Sequence, residues 1–125
     1  MSQAISSLMQ REVCAVDPDA TVQSVEALMV ARGLSWVPVV EKSGVALGVI
    51  TSADLLRFHA DGKQAPAVCA WQICTYKPIT VSADTSVSEV ARRMVETGVH
   101  HVMVTHGTDI KGVVSSLDFV RTFIA

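Results

Sequence analysis

The sequence predicts a mixed α/β (α+β) fold made of two tandem β-α-β-β-α repeats related by a pseudo-two-fold axis. Two observations lead to this prediction. The chain matches itself when it is shifted by about half its length, and each half shows the same order of strand-like and helix-like apolar patterns. With 125 residues, 50% of them hydrophobic, the chain suits one compact module.

The internal repeat has two registers, because a one-residue deletion in a turn changes the offset from 65 to 64 residues. The first register aligns Val16, Val22, Val25, Met29, Gly33 and Val37 with Val81, Val87, Val90, Met94, Gly98 and Val102. The second aligns Gly48, Val49, Ser52, Asp54 and Arg57 with Gly112, Val113, Ser116, Asp118 and Arg121. A unit of about 60 residues is marginal alone. We therefore expect the two copies to pack face to face around a shared core.

Each repeat shows the same elements in the same order. An extended stretch comes first, at 13–16 and 79–81, and an amphipathic helix follows. Two β-rich blocks come next, at 37–40 and 45–50 in the first repeat and at 102–105 and 110–114 in the second. A closing helix begins near Ser52 and near Ser116.

Local signals mark the ends of the first helix in each repeat. Ser86 and Glu89 have the spacing of a capping box, which predicts a helix start at this point. Gly33 and Gly98 follow the helical patterns, where a left-handed C-cap is expected.

Charge and composition exclude several classes of protein. The formal net charge is −2 and no Lys/Arg run is present, so neither a nucleic-acid surface nor a polybasic membrane patch is expected. No apolar run reaches the length of a membrane span and the N-terminus lacks a signal peptide pattern. The three cysteines do not form a disulfide framework or a zinc pattern, which favours a cytoplasmic protein without a metal site.

The ordered motifs resemble those of the CBS domain family. The first repeat carries Gly33-Leu34-Ser35-Trp36-Val37-Pro38-Val39-Val40 and Gly48-Val49-Ile50-Thr51-Ser52-Ala53-Asp54. The second carries Gly98-Val99-His100-His101-Val102-Met103-Val104 and Gly112-Val113-Val114-Ser115-Ser116-Leu117-Asp118. No single motif is specific, but the ordered set occurs twice and spans nearly the whole chain. The predicted division is repeat 1 at 1–60, a linker at 61–72 and repeat 2 at 73–125.

The resemblance implies a regulatory module with a nucleotide cleft between paired repeats. Its ligands would be adenosine nucleotides such as AMP, ADP, ATP, NAD or S-adenosylmethionine, bound as regulatory ligands and not as a required cofactor. The resemblance also implies side-by-side assembly into a homodimer. We read no further domain in the sequence, so a stand-alone pair would signal through a partner protein that the sequence does not name.

Thr51 and Asp54 are the main candidates for ligand binding. They lie where a predicted strand meets a helix N-terminus, at which free N–H groups and the helix dipole favour anions. The Thr51 hydroxyl could donate to a phosphate oxygen, and the Asp54 carboxylate could accept from both ribose hydroxyls. Ser115 and Asp118 repeat the arrangement. Both pairs also have capping-box spacing, so a purely structural cap is the alternative.

The remaining candidates come from the family resemblance, which implies an apolar slot for adenine. In the first repeat the slot would be lined by Val13, Ala15, Val37 and Pro38, and in the second by Ile79, Val102 and Met103, with core packing as the alternative for each. Lys77 precedes the second slot. His100 and His101 are adjacent on a strand entry, so they would face opposite ways, one of them near a phosphate. Met103 replaces Pro38, so the two clefts are expected to be unequal.

The alternatives to nucleotide sensing are an interaction domain and an enzyme. The apolar helix faces also fit a dimerisation or interaction domain without a ligand. An enzyme is not expected, because the sequence shows no nucleophile with a nearby base, no glycine-rich phosphate loop and no dense pair of acids.

Overall fold

The computed structural model describes residues 3–76 and 78–124, and within these the chain forms two compact units. The first unit is Cys14–Pro78. The second combines the residues before 14 with those from 79 onward. The second unit is therefore built from two separate segments of the sequence. The division at 1–60, 61–72 and 73–125 stays a prediction about the repeats.

The first unit contains a three-stranded antiparallel sheet in the order β1-β2-β3, together with three α-helices. Its elements are α1 Val22–Arg32, β1 Trp36–Val40, β2 Ala46–Thr51, α2 Ser52–Ala60, α3 Ala70–Ile73 and β3 Thr75–Tyr76, with a 3-10 turn at Ala65–Ala67. The predicted leading strand is reduced to one parallel bridge between Val16 and Val39.

The second unit repeats this plan with a mixed sheet in the order β4-β5-β6. Its elements are a 3-10 turn Ile5–Ser7, β4 Thr80–Ser82, α4 Val87–Thr97, β5 His101–His106, β6 Asp109–Ser115 and α5 Ser116–Ile124. β4 pairs in parallel with β5, and β5 pairs antiparallel with β6. The mixed α+β fold class predicted from the sequence is confirmed.

The helix ends follow the local chemistry of the chain. Thr21 and Ser86 cap α1 and α4 by accepting from the backbone N–H of Ser24 and Glu89, each at 3.1 Å. Gly33 and Gly98 end the same helices with φ of 63° and 70°, as predicted. Such φ angles strain most residues with a Cβ atom, which explains why glycine is found at both positions.

Each unit has a hydrophobic core between one face of its sheet and its helices. Val25, Val37 and Ile50 are fully buried in the first core, and Val90, Val102 and Val114 in the second. Side chains alternate across a strand, so every second residue of β1 and β5 faces its core. The residues between them lie on the opposite face.

The segment that leads into each repeat packs against the sheet of the other repeat. Gln10 forms an antiparallel bridge to Val113 on β6, with N···O distances of 2.8 and 3.0 Å. In the first unit Thr75 pairs with Val49 on β2 in the same way. Val49 and Val113 are equivalent under the sequence repeat, and so are Gln10 and Thr75. The pairing of each leading segment with its sheet therefore corresponds residue by residue in the two units.

Candidate functional site

The junction between β2 and α2 is held by a reciprocal pair of hydrogen bonds. The backbone N–H of Asp54 donates to the Thr51 hydroxyl at 3.2 Å, and the backbone N–H of Thr51 donates to Asp54 Oδ2 at 2.9 Å. This is the capping box that the sequence offered as the structural alternative, and it is present. It fixes the carboxylate of Asp54 at the mouth of the α2 N-terminus.

The second oxygen of Asp54 faces a cation. Arg57 Nη2 donates to Asp54 Oδ1 at 2.8 Å. The Arg57 side chain is 67% exposed, whereas Asp54 is 12% exposed. An exposed ion pair of this kind contributes little net stability and rearranges at low cost. Both groups therefore remain available to an incoming polar ligand.

A cavity of about 290 Å³ adjoins this carboxylate within the first unit. Its lining is mostly polar and carries two acids and two cations. The lining residues are Asp54, Arg57, Phe58, Asp61, Lys63, Gln72, Ile73 and Thr75. Arg57 belongs to the last turn of α2 and Lys63 follows the C-cap of this helix, so both cations line the same cavity as the Asp54 carboxylate.

The equivalent carboxylate in the second unit is more enclosed. Asp118 is 6% exposed and its Oδ2 accepts from the backbone N–H of Ser115 at 2.8 Å and from the Ser115 hydroxyl at 3.3 Å. Asp118 Oδ1 accepts from Gln10 Nε2 at 3.1 Å, and Arg121 Nη1 lies 3.6 Å from the same oxygen. The Ser115 hydroxyl thus donates to the carboxylate, whereas the Thr51 hydroxyl accepts from the backbone.

The residues predicted to line an adenine slot fall into two groups. Val37 and Val102 belong to the hydrophobic cores, with 0% and 1% exposure. Core packing was the alternative to ligand binding for both residues. Pro38 and Met103 are also buried, but they alternate with core residues and so lie on the opposite sheet face. Pro38 and Met103 thus occupy equivalent positions on the sheet faces that do not contact the two cores.

The leading residues are distributed between the units. Val13 is half-buried in the second unit, and Ala15 is exposed in the first. Ile79 is half-buried against the second core, and its carbonyl oxygen accepts from the backbone N–H of Met103 at 3.0 Å. Lys77 lies outside the described residues.

The two adjacent histidines differ in their surroundings. His100 is exposed, whereas His101 is half-buried at the start of β5. Burial, together with the charge of His100, lowers the pKa of His101 to about 4. At neutral pH the His101 imidazole is therefore uncharged.

An apolar groove of about 440 Å³ lies between α4 and α5 in the second unit. Val95 and Phe123 line it and are 83% and 79% exposed. The equivalent faces of α1 and α2 are joined instead by a hydrogen bond between His59 Nε2 and Glu26 Oε2. The sequence signal for this difference was the replacement of Glu26 and His59 by Ala91 and Phe123 at the repeat-equivalent positions.

Arg57, Lys63, Gln72, Thr75 and Gln10 were not among the predicted site residues. The signal for Arg57 was present in its repeat with Arg121, three residues after each aspartate. Gln10 and Thr75 had no comparable signal, because only the pairing of each leading segment with a distant strand brings them to the carboxylates.

A metal-binding cluster and a membrane-spanning helix are both absent from residues 3–76 and 78–124. No group of three or more His, Cys, Asp or Glu residues there is arranged to hold a metal ion. No helix in the same ranges has the length and apolar character needed to cross a bilayer.

Paired strand–helix junctions, repeated about a common plan, define a tandem α+β module. The model of the CBS domain matches residues 5–61 and 70–125, so the chain belongs to the CBS domain family. This confirms the family resemblance seen in the motifs.

Individual relatives extend this comparison. The chain is 29% identical over 115 residues to the arabinose 5-phosphate isomerase KpsF of Escherichia coli, covering 91% of this chain. It spans about a third of that relative's length (35%). Among solved structures, CBSX2 in complex with AMP superposes with a TM-score of 0.86, 19% identity and coverage of 98% and 96% of the two chains. The CBS domain pair of protein MJ0100, in complex with 5'-methylthioadenosine and S-adenosyl-L-methionine, gives a TM-score of 0.89, 22% identity and coverage of 98% and 97%.

Proposed function

We propose that this chain is a regulatory module that binds an adenosine-containing nucleotide at the Thr51–Asp54 junction and signals to a partner protein. The observation that carries this proposal is the partly accessible carboxylate of Asp54 beside a polar cavity. Support also comes from the two family members that were solved with AMP and with S-adenosyl-L-methionine. The nucleotide is a regulatory ligand in this proposal and no cofactor is required.

Each part of the site has a defined role in this proposal. The Asp54 carboxylate accepts hydrogen bonds from the ribose hydroxyls, at acceptor positions that the capping box leaves unused. Arg57 and Lys63 attract a phosphate, so AMP, ADP, ATP and NAD are favoured over the cationic S-adenosylmethionine. The adenine ring is assigned to Pro38, which lies on the sheet face opposite the first core.

Thermal melting in the presence of AMP, ADP, ATP, NAD or S-adenosylmethionine, each at about 1 mM, tests the proposal. A ligand at about 100 times its dissociation constant stabilises a fold by about 2.7 kcal/mol, which a melt detects. The shift should be lost in Asp54→Ala and kept in Asp109→Ala, which removes an exposed carboxylate from the β5–β6 turn. No shift with any of the five compounds would contradict nucleotide binding.

The remaining aspects of the function are proposed with it. The protein acts in the cytoplasm, forms a homodimer and has no catalytic activity of its own. Turnover of ATP or NAD by the purified chain would contradict the last point. The effector protein is not named by any residue pattern.

The second candidate function is an interaction or dimerisation domain without a ligand. The apolar groove between α4 and α5 favours it, because exposed apolar patches commonly mark association surfaces. Sedimentation of the wild type and of Val95→Lys distinguishes the candidates when it is combined with the melts. A dimer that dissociates in Val95→Lys, with no nucleotide shift in any melt, would favour this second function.

A further inference from the structure

The two repeat-equivalent carboxylates, Asp54 and Asp118, differ in how many hydrogen bonds they already accept. Among the described residues, two hydrogen bonds reach Asp54, from Thr51 and Arg57. Three reach Asp118, and Arg121 lies within ion-pair distance. A carboxylate has about four acceptor positions, so Asp118 has at most one left for a ligand.

The additional hydrogen bond comes from Gln10, which reaches Asp118 from a fixed position. The backbone N–H and C=O of Gln10 both form hydrogen bonds with Val113, so the Gln10 backbone is held beside β6. The side chain amide then donates to Asp118 Oδ1 at 3.1 Å. A primary amide offers the carboxylate the same type of donor that a ribose hydroxyl would offer.

The first unit has a shorter side chain at this position. Thr75 pairs with Val49 as Gln10 pairs with Val113. Thr75 lines the cavity beside Asp54 and does not extend an amide toward the carboxylate. The exchange of glutamine for threonine at one equivalent position therefore distinguishes an open carboxylate from an occupied one.

From this difference we infer that Gln10 is an internal plug of the second carboxylate, so that the chain binds one nucleotide, at Asp54. This inference rests on the proposed function and adds the stoichiometry and the residue that sets it. The Gln10 amide occupies the donor position that a ribose would need, and its backbone bridge keeps it in place.

Isothermal titration with AMP tests the inference on four full-length proteins: the wild type, Asp54→Ala, Gln10→Thr and the double variant Gln10→Thr with Asp118→Ala. Gln10→Thr gives the second unit the residue that the first unit already has. We expect one AMP per chain for the wild type, at least a tenfold loss of affinity in Asp54→Ala, and two AMP per chain for Gln10→Thr. The double variant should return to one.

Each other outcome has a defined meaning. Two AMP per chain in the wild type, or one in Gln10→Thr, would overturn the plug and leave the proposed function standing. No heat with any variant at millimolar AMP would overturn both. If Gln10→Thr does not fold, the side-chain amide resonance of Gln10 in the wild type decides. It should not move when AMP saturates the protein, and a shift would overturn the inference.

Discussion

A Cβ atom at Gly48 would lie 2.3 Å from the carbonyl oxygen of Thr75, which is far inside van der Waals contact. Glycine is therefore required where β3 pairs with β2. The repeat-equivalent Gly112 has the same constraint, since its Cβ would lie 2.8 Å from the carbonyl oxygen of Gln10. Gly48 and Gly112 are equivalent in the internal repeat. They thus mark the two places where a leading segment pairs with a strand of a sheet.

Gly48→Ala should lower the free energy of unfolding by about 1–3 kcal/mol, because the added methyl group forces β3 away from β2. Gly48→Asn should cost at least as much. Gly33→Asn is the control, because Gly33 has open space and a left-handed φ that asparagine tolerates. Urea denaturation measures all three, and an equal cost for Gly48→Asn and Gly33→Asn would contradict the steric account.

Thr51→Val should destabilise the protein by about 1 kcal/mol even without nucleotide, because it removes the side-chain acceptor of the α2 cap. Ser52→Ala, which changes the exposed neighbouring hydroxyl, should have little effect. Thermal melts of the free proteins measure the difference. A Thr51→Val variant as stable as the wild type would show that the cap contributes nothing to the fold.

His101 should make the protein less stable as the pH falls from about 6.5 to about 4. Its pKa is lowered to about 4 in the folded state, so the unfolded chain binds the proton more readily through this range. The contribution of His101 to the free energy of unfolding is fully present above the unfolded-state pKa of 6.5. It is lost once the pH falls below the folded-state pKa of about 4. Since His101 is only half-buried, we discount the effect to about 1–2 kcal/mol.

Chemical denaturation at several pH values checks this dependence. His101→Gln should flatten the stability profile between pH 6.5 and 4, whereas the exposed His106→Gln should leave its slope unchanged. A profile that is equally steep in both variants would assign the acid sensitivity to other groups.

Gln10→Ala should lower the free energy of unfolding by about 1–3 kcal/mol, because it removes a hydrogen-bond donor from the buried carboxylate of Asp118. Gln64→Ala, at an exposed position, serves as the matched control. The effect should be smaller when Asp118 is already replaced by Asn, as a double-mutant cycle would measure. Additive effects would mean that the two side chains do not interact energetically.

The sequence predicted the elements of the fold because their signals are local. Helix α1 follows from an apolar face, a cap and the glycine at 33, and the same signals recur in α4. The exchange of the leading segments could not be predicted, since it depends on pairings such as that of Gln10 with Val113, between residues with no mutual pattern. The leading strand at 13–16 was predicted too long for the same reason.

The site was predictable to the extent that it follows the strand–helix junctions. Thr51 and Asp54 are neighbours along one helical turn, so their spacing alone brings them together. The core positions of Val37 and Val102 agree with strand alternation, which assigns a face but not what covers it. Arg57 repeats with Arg121 and could have been named. Gln10 could not, since it reaches Asp118 across 108 positions of the chain.

That long-range pairing has a consequence for the order in which the protein is completed during synthesis. Ile5 and Gln10 are made before the Cys14–Pro78 unit, but their partners Thr85 and Val113 are made after it. The Cys14–Pro78 unit contains β3, the strand that pairs with β2, so this unit can fold while β4 to β6 are still being made. The segment that contains Ile5 and Gln10 must wait for Thr85 and for β6, and closing so long a loop slows this step. A segment that is made before the Cys14–Pro78 unit thus reaches its final position only after that unit has been made.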